Sequence, residues 1–365
     1  MTGKIAYFEK NGKIGFVQHD LPNVEPGAIL VRVLSSNICG SDVKNWKSGV
    51  SLGVSSSKTC QGHEFVGRIQ QLGEGVTTDY AGQPVQVGDR IVAAYYITCG
   101  ECSACKKGRY DQCENAYIHL GQSPEEYPYF SVTFATHYYI HPKQYFYKVP
   151  DSLPDHLAAG ANCRFSQVYY GLEHLQPATG ETLLIQGAGS MGLYAAAIAR
   201  EMGITTIIID SVADRLKMAK RFGANHLISM EEIPTLEGRE AAIHQLTGGK
   251  GVDMALELTG VASAVEEGLH HLAPMGRYVI IGTNVLSAQA TLSPGYITRK
   301  SLMVTGVARY LPEYLHKSLE FLDRFQHKYP FDEFSSMSCS LENLATGLEM
   351  VAQKKVIRAV VQPEF

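Results

Sequence analysis

The sequence predicts two architectures, α/β plus β: a unit of short antiparallel strands and an α/β unit built on a parallel sheet. Three observations predict this. Up to about residue 150 the apolar runs are short and separated by Gly, Pro and Asp. After Pro154 apolar runs alternate with helical stretches, the pattern of a parallel sheet covered on both faces. A glycine-rich loop, Gly187-Ala188-Gly189-Ser190-Met191-Gly192, follows one of these runs and opens a helix.

In chain order, residues 28–34 and 90–94 read as strands, and no helix of convincing length is expected before residue 150. Strands are then expected over 182–186, 205–210, 252–258, 277–282 and 301–307. The Ala-rich stretch 191–202 and the stretch 214–222 supply helices between the first three. Beyond 308 one helix over 341–353 and a strand over 356–361 complete the reading.

Length and charge bound the function. At 365 residues the chain has room for two or three domains, and 45% apolar with 19% charged residues is a globular composition. Disorder and collagen-like repeats are excluded. The net charge of −4 gives no electrostatic claim on nucleic acid or an anionic membrane, so neither is expected as a partner. No apolar run approaches the ~20 residues of a bilayer span, and the opening MTGKIAYFEKNG lacks the apolar core of a signal peptide. A cytoplasmic protein is expected.

The loop at 187–192 is G-x-G-x-x-G at a strand-to-helix junction. Gly187 permits the tight turn, Gly189 lets backbone approach a pyrophosphate, and Gly192 lets helix and strand pack closely. The amides of Ser190 and Met191 then face the phosphates from the positive end of the helix. The next strand ends in Asp210, 18 residues beyond Gly192. A carboxylate there accepts from the ribose 2′-hydroxyl and repels a 2′-phosphate, favouring NAD over NADP; nearby Arg215 weakens the preference. A turn or capping acid is the alternative reading of Asp210.

Of eight cysteines, Cys99, Cys102, Cys105 and Cys113 fall within fifteen residues. In a long chain without a leader this spacing suits a closed, structural four-thiolate zinc better than disulfides. Ferredoxin clusters continue as x3-C-P, whereas here the fourth cysteine follows after seven residues and precedes Glu114. Cys39, the pair His63-Glu64 and Cys163 are dispersed, and spacing alone does not assemble them.

Together these features resemble the zinc-dependent medium-chain dehydrogenase/reductase superfamily, the alcohol and polyol dehydrogenases, over essentially the whole chain. The matching residues are Cys39-Gly40-Ser41-Asp42, Gly62-His63-Glu64, the four-cysteine lobe, the glycine loop, and Ile357-Arg358. The resemblance implies a GroES-like catalytic domain (1–164 and 307–365, with a zinc lobe at 95–115) interrupted by a Rossmann NAD-binding domain (165–306). It also implies an active site in the cleft between domains and a homodimer or homotetramer. Cys39-Gly-Ser-Asp-Val43 followed by Trp46 is similar to the sorbitol-type enzymes, which usually add a glutamate to the zinc site. Cys163-Arg-Phe-Ser stands where alcohol dehydrogenases carry their second zinc cysteine. The expected catalytic ligands are Cys39, His63 and Cys163, with Glu64 behind the metal or exchanging with water, giving two Zn2+ per chain. Arg358 is expected on a cofactor phosphate.

The implied reaction is reversible hydride transfer between an alcohol and the nicotinamide of NAD, with zinc as Lewis acid and Ser41 taking the hydroxyl proton. Lys44 occupies the place of a family proton-relay histidine. It is expected to relay only partly, or to hold a cofactor oxygen in place of the arginine that Gly40 lacks. Between Tyr110 and Tyr147 lie eight tyrosines and three phenylalanines. With Tyr95 and Trp46 they are expected to wall a pocket for a bulky, secondary or cyclic alcohol, packing of the zinc lobe or a subunit interface being the alternative reading. Two alternatives stay open: an NADPH-dependent carbonyl or enoyl reductase of the same superfamily, and a non-catalytic nucleotide-binding relative.

Overall fold

The computed structural model describes residues 1–10, 12–48, 58–120, 122–283 and 286–363. Internal contacts divide the chain into two units. One joins Met1–Cys163 to Leu311–Phe365; the other is Arg164–Tyr310.

In the first unit, the strand Ile29–Asn37 is the hub. It pairs antiparallel with Glu64–Leu72, His137–Ile140 and the late strand Ala359–Val361. Arg90–Ala93 and Phe146–Lys148 extend this sheet, and Thr2–Glu9 anchors a second one with Ile14–Asp20 and Lys58–Cys60. Val31, Val33, Phe65, Ile69 and Ile91 alternate inward along the strands and form a buried cluster. The short antiparallel strands and the C-terminal return to strand agree with the expectation. One edge departs from it, because Met337–Cys339 runs parallel to Ala359–Val361.

A helix before residue 150 was not expected, yet Gly40–Ser48 is one. Its start is fixed by the Asp42 carboxylate, which accepts from the Cys39 N–H at 2.8 Å. This is the back-reaching half of a capping box, an acid three residues after the cap position. The amphipathic helix Glu313–Phe325, which buries Leu315, Leu319 and Leu322 at four- and three-residue spacing, was also unforeseen.

The second unit carries a six-stranded, all-parallel sheet. Its spatial order is His226–Ser229, Thr205–Asp210, Thr182–Gln186, Val252–Glu257, Leu272–Ile280, Met303–Gly306. In sequence order within the unit this is 3-2-1-4-5-6, the doubly wound Rossmann arrangement, whose order reverses between the strands ending at Gln186 and Glu257. Strands 182–186 and 205–210 lie as expected, and the helix expected over 191–202 is Ser190–Glu201. Among the described residues no helix is long and apolar enough to cross a membrane.

A buried ion pair ties two helices of this unit. Arg239, in Leu236–Leu246, donates through Nε (2.6 Å) and Nη2 (2.9 Å) to both oxygens of Glu267, in Ala262–His271. His271 Nε2 lies 3.3 Å from the same carboxylate. Burial alone would raise the Glu267 carboxyl, but the bonds from His271 and Arg239 outweigh it and hold it at about 2. Its folded value is thus depressed below the ordinary 4.5. The stability it contributes is complete above about pH 4.5 and is lost as pH falls through about 2. That difference corresponds to about 3 kcal/mol. Acid titration followed by circular dichroism should show this loss in the wild type and a flatter profile in Glu267→Gln. Glu267→Ala, which strands Arg239 in the interior, should cost about 3–5 kcal/mol at neutral pH.

Candidate metal centres and dinucleotide loop

Sheet register brings the dispersed residues together. Asn37, at the end of one strand, pairs with Glu64 at the start of the next, and Val360 pairs with Asn37 from the other side. Cys39 therefore stands beside His63 and Glu64. Gly62 makes the approach possible: its φ is +98°, and a Cβ there would meet the Phe134 backbone nitrogen at 2.6 Å. Cys163 arrives from a wide turn at Ala161–Phe165, where its own φ is +57°, an uncommon conformation for a residue with a side chain. One ligand atom from each of Cys39, His63, Glu64 and Cys163 lies within 4.8 Å of the others. Two thiols, an imidazole and a carboxylate are a donor set that fits zinc.

Asp42 organises this group. Its Oδ1 lies 3.3 Å from His63 Nδ1 while Oδ2 holds the Cys39 N–H. A carboxylate on Nδ1 leaves Nε2 to face a metal. Burial would lower the His63 pKa, but the charge and hydrogen bond of Asp42, aided by Cys39, raise it well above its ordinary value.

Glu64 is fully buried, and Arg358 Nη1 sits 3.4 Å from its Oε2. With its amide turned to face donors, Asn37 accepts from the same Nη1 and from Gly160 N–H, each at 3.1 Å. Arg358 is 2% exposed and its Nη1 faces Glu64, a charge partner for that buried carboxylate.

The helix Gly40–Ser48 sorts the remaining residues by face. Ser41 and Lys44 are exposed. Trp46 faces inward in part. With Val43, three positions earlier, it packs on the apolar cluster of Phe134, Leu344 and Leu348, and its indole N–H donates to the Gly12 carbonyl at 2.6 Å. Tyr95 stands edge-on to the His63 ring, 5.3 Å between centroids. It also lines a small cavity of about 30 Å³ together with Tyr96, His119, Tyr138 and Tyr139.

The four-cysteine lobe closes on itself. All four sulfurs lie within 4.8 Å of one another, and backbone amides of Cys99, Cys102 and Cys105 each donate to a neighbouring sulfur at 3.4 Å. The amides of Cys102 and Glu101 pull the Cys99 thiol down to about 6, while burial and the adjacent sulfurs push Cys105 up to about 12. Ionised thiols this close repel one another, and a divalent cation relieves that repulsion. The set fits zinc.

In the second unit Gly187 has φ +98°, and a Cβ on Gly192 would meet the Gly187 carbonyl oxygen at 1.9 Å, so helix and loop interlock only with glycine there. A Cβ on Gly189 would meet nothing within 4 Å, leaving open space against the backbone. The following helix has no side-chain cap at Gly189. These features fit a dinucleotide pyrophosphate. Asp210 Oδ2 accepts from Ala188 N–H (2.6 Å) and Oδ1 from Val212 N–H (2.8 Å), with Arg215 Nη1 at 4.0 Å. Asp210 thus braces the loop as well as standing at the strand end. Ser190 is buried and receives a bond from Arg164 Nη1 at 2.8 Å, and Met191 is half-buried.

Asp42, Asn162 and Arg164 were absent from the sequence-based site. The pattern Cys39-x-x-Asp42 carried a readable capping signal, whereas nothing in the order of residues marks the other two.

Comparison with known proteins agrees with this geometry. Residues 25–151 match the alcohol dehydrogenase GroES-like domain, and residues 190–324 match the zinc-binding dehydrogenase family. The chain is 32% identical over 339 residues to 5-exo-hydroxycamphor dehydrogenase of Pseudomonas putida, covering 92% of each. It is 31% identical over 322 residues to sorbitol dehydrogenase of Bacillus subtilis, covering 87% of this chain and 85% of that one. The crystal structure of an alcohol dehydrogenase from Thermotoga maritima superposes with a TM-score of 0.93 at 27% identity, covering 100% of both chains. With a GroES-like domain, a Rossmann sheet and relatives that are dehydrogenases along nearly their full length, this chain belongs to the zinc-dependent medium-chain dehydrogenase/reductase superfamily.

Proposed function

We propose that this protein is a zinc- and NAD-dependent dehydrogenase that interconverts a bulky, secondary or cyclic alcohol and its ketone. The convergence of Cys39, His63, Glu64 and Cys163 is the observation that carries this reading. Cys39, His63 and Cys163 would hold the catalytic zinc, and the cysteines at 99, 102, 105 and 113 a structural one. When bound, the metal supplies Lewis acidity toward the substrate oxygen, and the nicotinamide takes up or gives the hydride.

The chain's own residues do the rest. Asp42 keeps the His63 ring oriented through Nδ1. Arg358 draws the Glu64 carboxylate toward itself, which favours a three-residue ligand set with one position open to substrate. Ser41 Oγ, two residues after Cys39 and exposed, would accept the hydroxyl proton of the alcohol as its own hydroxyl proton passes on by way of the cofactor ribose. Lys44, one helical turn on, is exposed and is a weaker candidate for that proton's exit. Tyr95 beside His63, with Tyr96 and Tyr117 packed against it, favours an apolar ring over a charged chain. The camphor-type relative is named for a bicyclic secondary alcohol, which suits the same walls.

In the second unit, Asp210 at the end of its strand favours the ribose hydroxyls of NAD. NAD should therefore exceed NADP in kcat/KM. Asp210→Asn keeps an acceptor for one of the two loop amides but removes the charge, and should narrow that ratio about tenfold, equivalent to ~1.4 kcal/mol. A wild type that already prefers NADP would point instead to an NADPH-dependent carbonyl reductase.

Metal analysis tests the two centres separately. The purified chain should carry about two zinc ions, and Cys39→Ser with Cys163→Ser should remove one while leaving the other in the 99–113 lobe. A chain with one zinc, lost entirely on changing the lobe cysteines, would remove the catalytic assignment. The substrate class is tested by a panel of linear, aromatic and cyclic alcohols followed by NADH absorbance.

A further inference from the structure

We propose that Asn162 is a positioning residue for the metal centre: its side chain fixes His63 against Cys163 and holds Cys163 in its positive-φ conformation. The inference rests on the reading that Cys39, His63 and Cys163 hold zinc.

One amide makes three bonds. Nδ2 donates to the His63 carbonyl at 3.0 Å and to the Ala93 carbonyl at 2.7 Å, and Oδ1 accepts from the Cys163 N–H at 2.8 Å. The residue is fully buried. The reverse amide orientation would set an oxygen against two carbonyls and a donor against a donor, so the pattern admits one assignment. Three segments meet on this side chain: the turn before Glu64–Leu72, the end of Arg90–Ala93, and the turn at Ala161–Phe165.

Two of those segments carry metal ligands, nearly a hundred residues apart in sequence. The backbone at Asn162 is extended (φ −68°, ψ 162°) and that at Cys163 has φ 57° and ψ −100°, interrupting a helical stretch. Such a backbone persists only where its surroundings over-determine it. The bond from Cys163 N–H to Asn162 Oδ1 supplies local restraint, and the two carbonyl bonds tie it to His63. The thiol of Cys163 and the ring of His63 are thereby aimed at one point before any metal arrives. Partners one bond removed from metal ligands commonly carry 10- to 100-fold of the metal affinity.

The test compares wild type with Asn162→Asp, which keeps the acceptor for Cys163 N–H and loses both donors, and with Asn162→Ala, which loses all three bonds. Zinc affinity is read by chelator competition, with the four-cysteine lobe as internal reference. Visible absorption of Co2+ placed in the site reports ligand geometry. Both variants should bind zinc at this site about 10- to 100-fold more weakly, with altered cobalt bands and an unchanged lobe. Zinc affinity within twofold of wild type and an unaltered cobalt spectrum, even with a lowered melting temperature, would reduce Asn162 to a packing residue and overturn the proposal. If Asn162→Ala does not fold, Asn162→Asp decides by the same two readouts. A wild type that takes up zinc only in the lobe would overturn the reading of the site itself, a result distinct from normal uptake by the variants.

Discussion

Burying charge in the first unit is the constraint on which its other features depend. Asp42, Glu64 and Arg358 are each almost fully removed from solvent, and His63 lies beside them. Isolated, any one of these charges would cost several kcal/mol. The structure answers with pairs: Asp42 with His63 and the Cys39 amide, Glu64 with Arg358. The pairs in turn dictate the backbone. The strand ending at Asn37 must lie between the strands bearing Glu64 and Val360. A helix must begin at Gly40 so that Asp42 can turn back, and glycine must occupy position 62 so that the following pair can approach. An arrangement so demanding of its surroundings is what a bound cation would complete.

The second unit solves a different problem with neutral donors. Glu257, fully buried at the end of its strand, accepts from the Thr259 amide and hydroxyl (2.6 Å each), the Gly260 amide (2.8 Å) and the Thr283 amide (2.8 Å). It thereby shapes the loops that follow two neighbouring strands. The register pairs Glu257 with Gln186, so these loops border the glycine loop. The rigid rim this creates lies at the reversal of strand order, where open α/β sheets bind their ligands. Asp210 braces the other side through Ala188 and Val212.

Much of this was legible in the sequence where the signal was local. The glycine loop, the strands on either side of it and the 99–113 cysteines are each defined within about fifteen consecutive residues. The dispersed ligands were legible only through family resemblance, since their meeting depends on strand register, a long-range property. Short helices were hardest. Gly40–Ser48 has few apolar positions, and its capping acid is also a buried partner of His63, so a single residue carries two messages. Glu313–Phe325 does show a helical stripe, with Leu315, Leu319 and Leu322 on one face. Position along the chain does not reveal the direction of a side chain. Val43 and Trp46 share an inward face, and Arg358 follows the buried carboxylate at Glu64.

The two candidate metal centres differ in how they are built. The lobe draws all four ligands from one short segment, and its amides donate directly to sulfur, so its geometry is nearly a property of that segment alone. The mixed centre draws on three segments held by sheet register, a capping acid and a three-way amide, and one of its ligands sits on strained backbone. Uniform thiolates in a local frame suit a cation that stays saturated. Unlike donors, each steered by a separate partner, suit one whose coordination must remain open to exchange. Glu64 gives that openness a physical form. It lies within reach of the other ligands while Arg358 Nη1 sits 3.4 Å from its Oε2, so a cation bound there and the guanidinium would compete for one carboxylate.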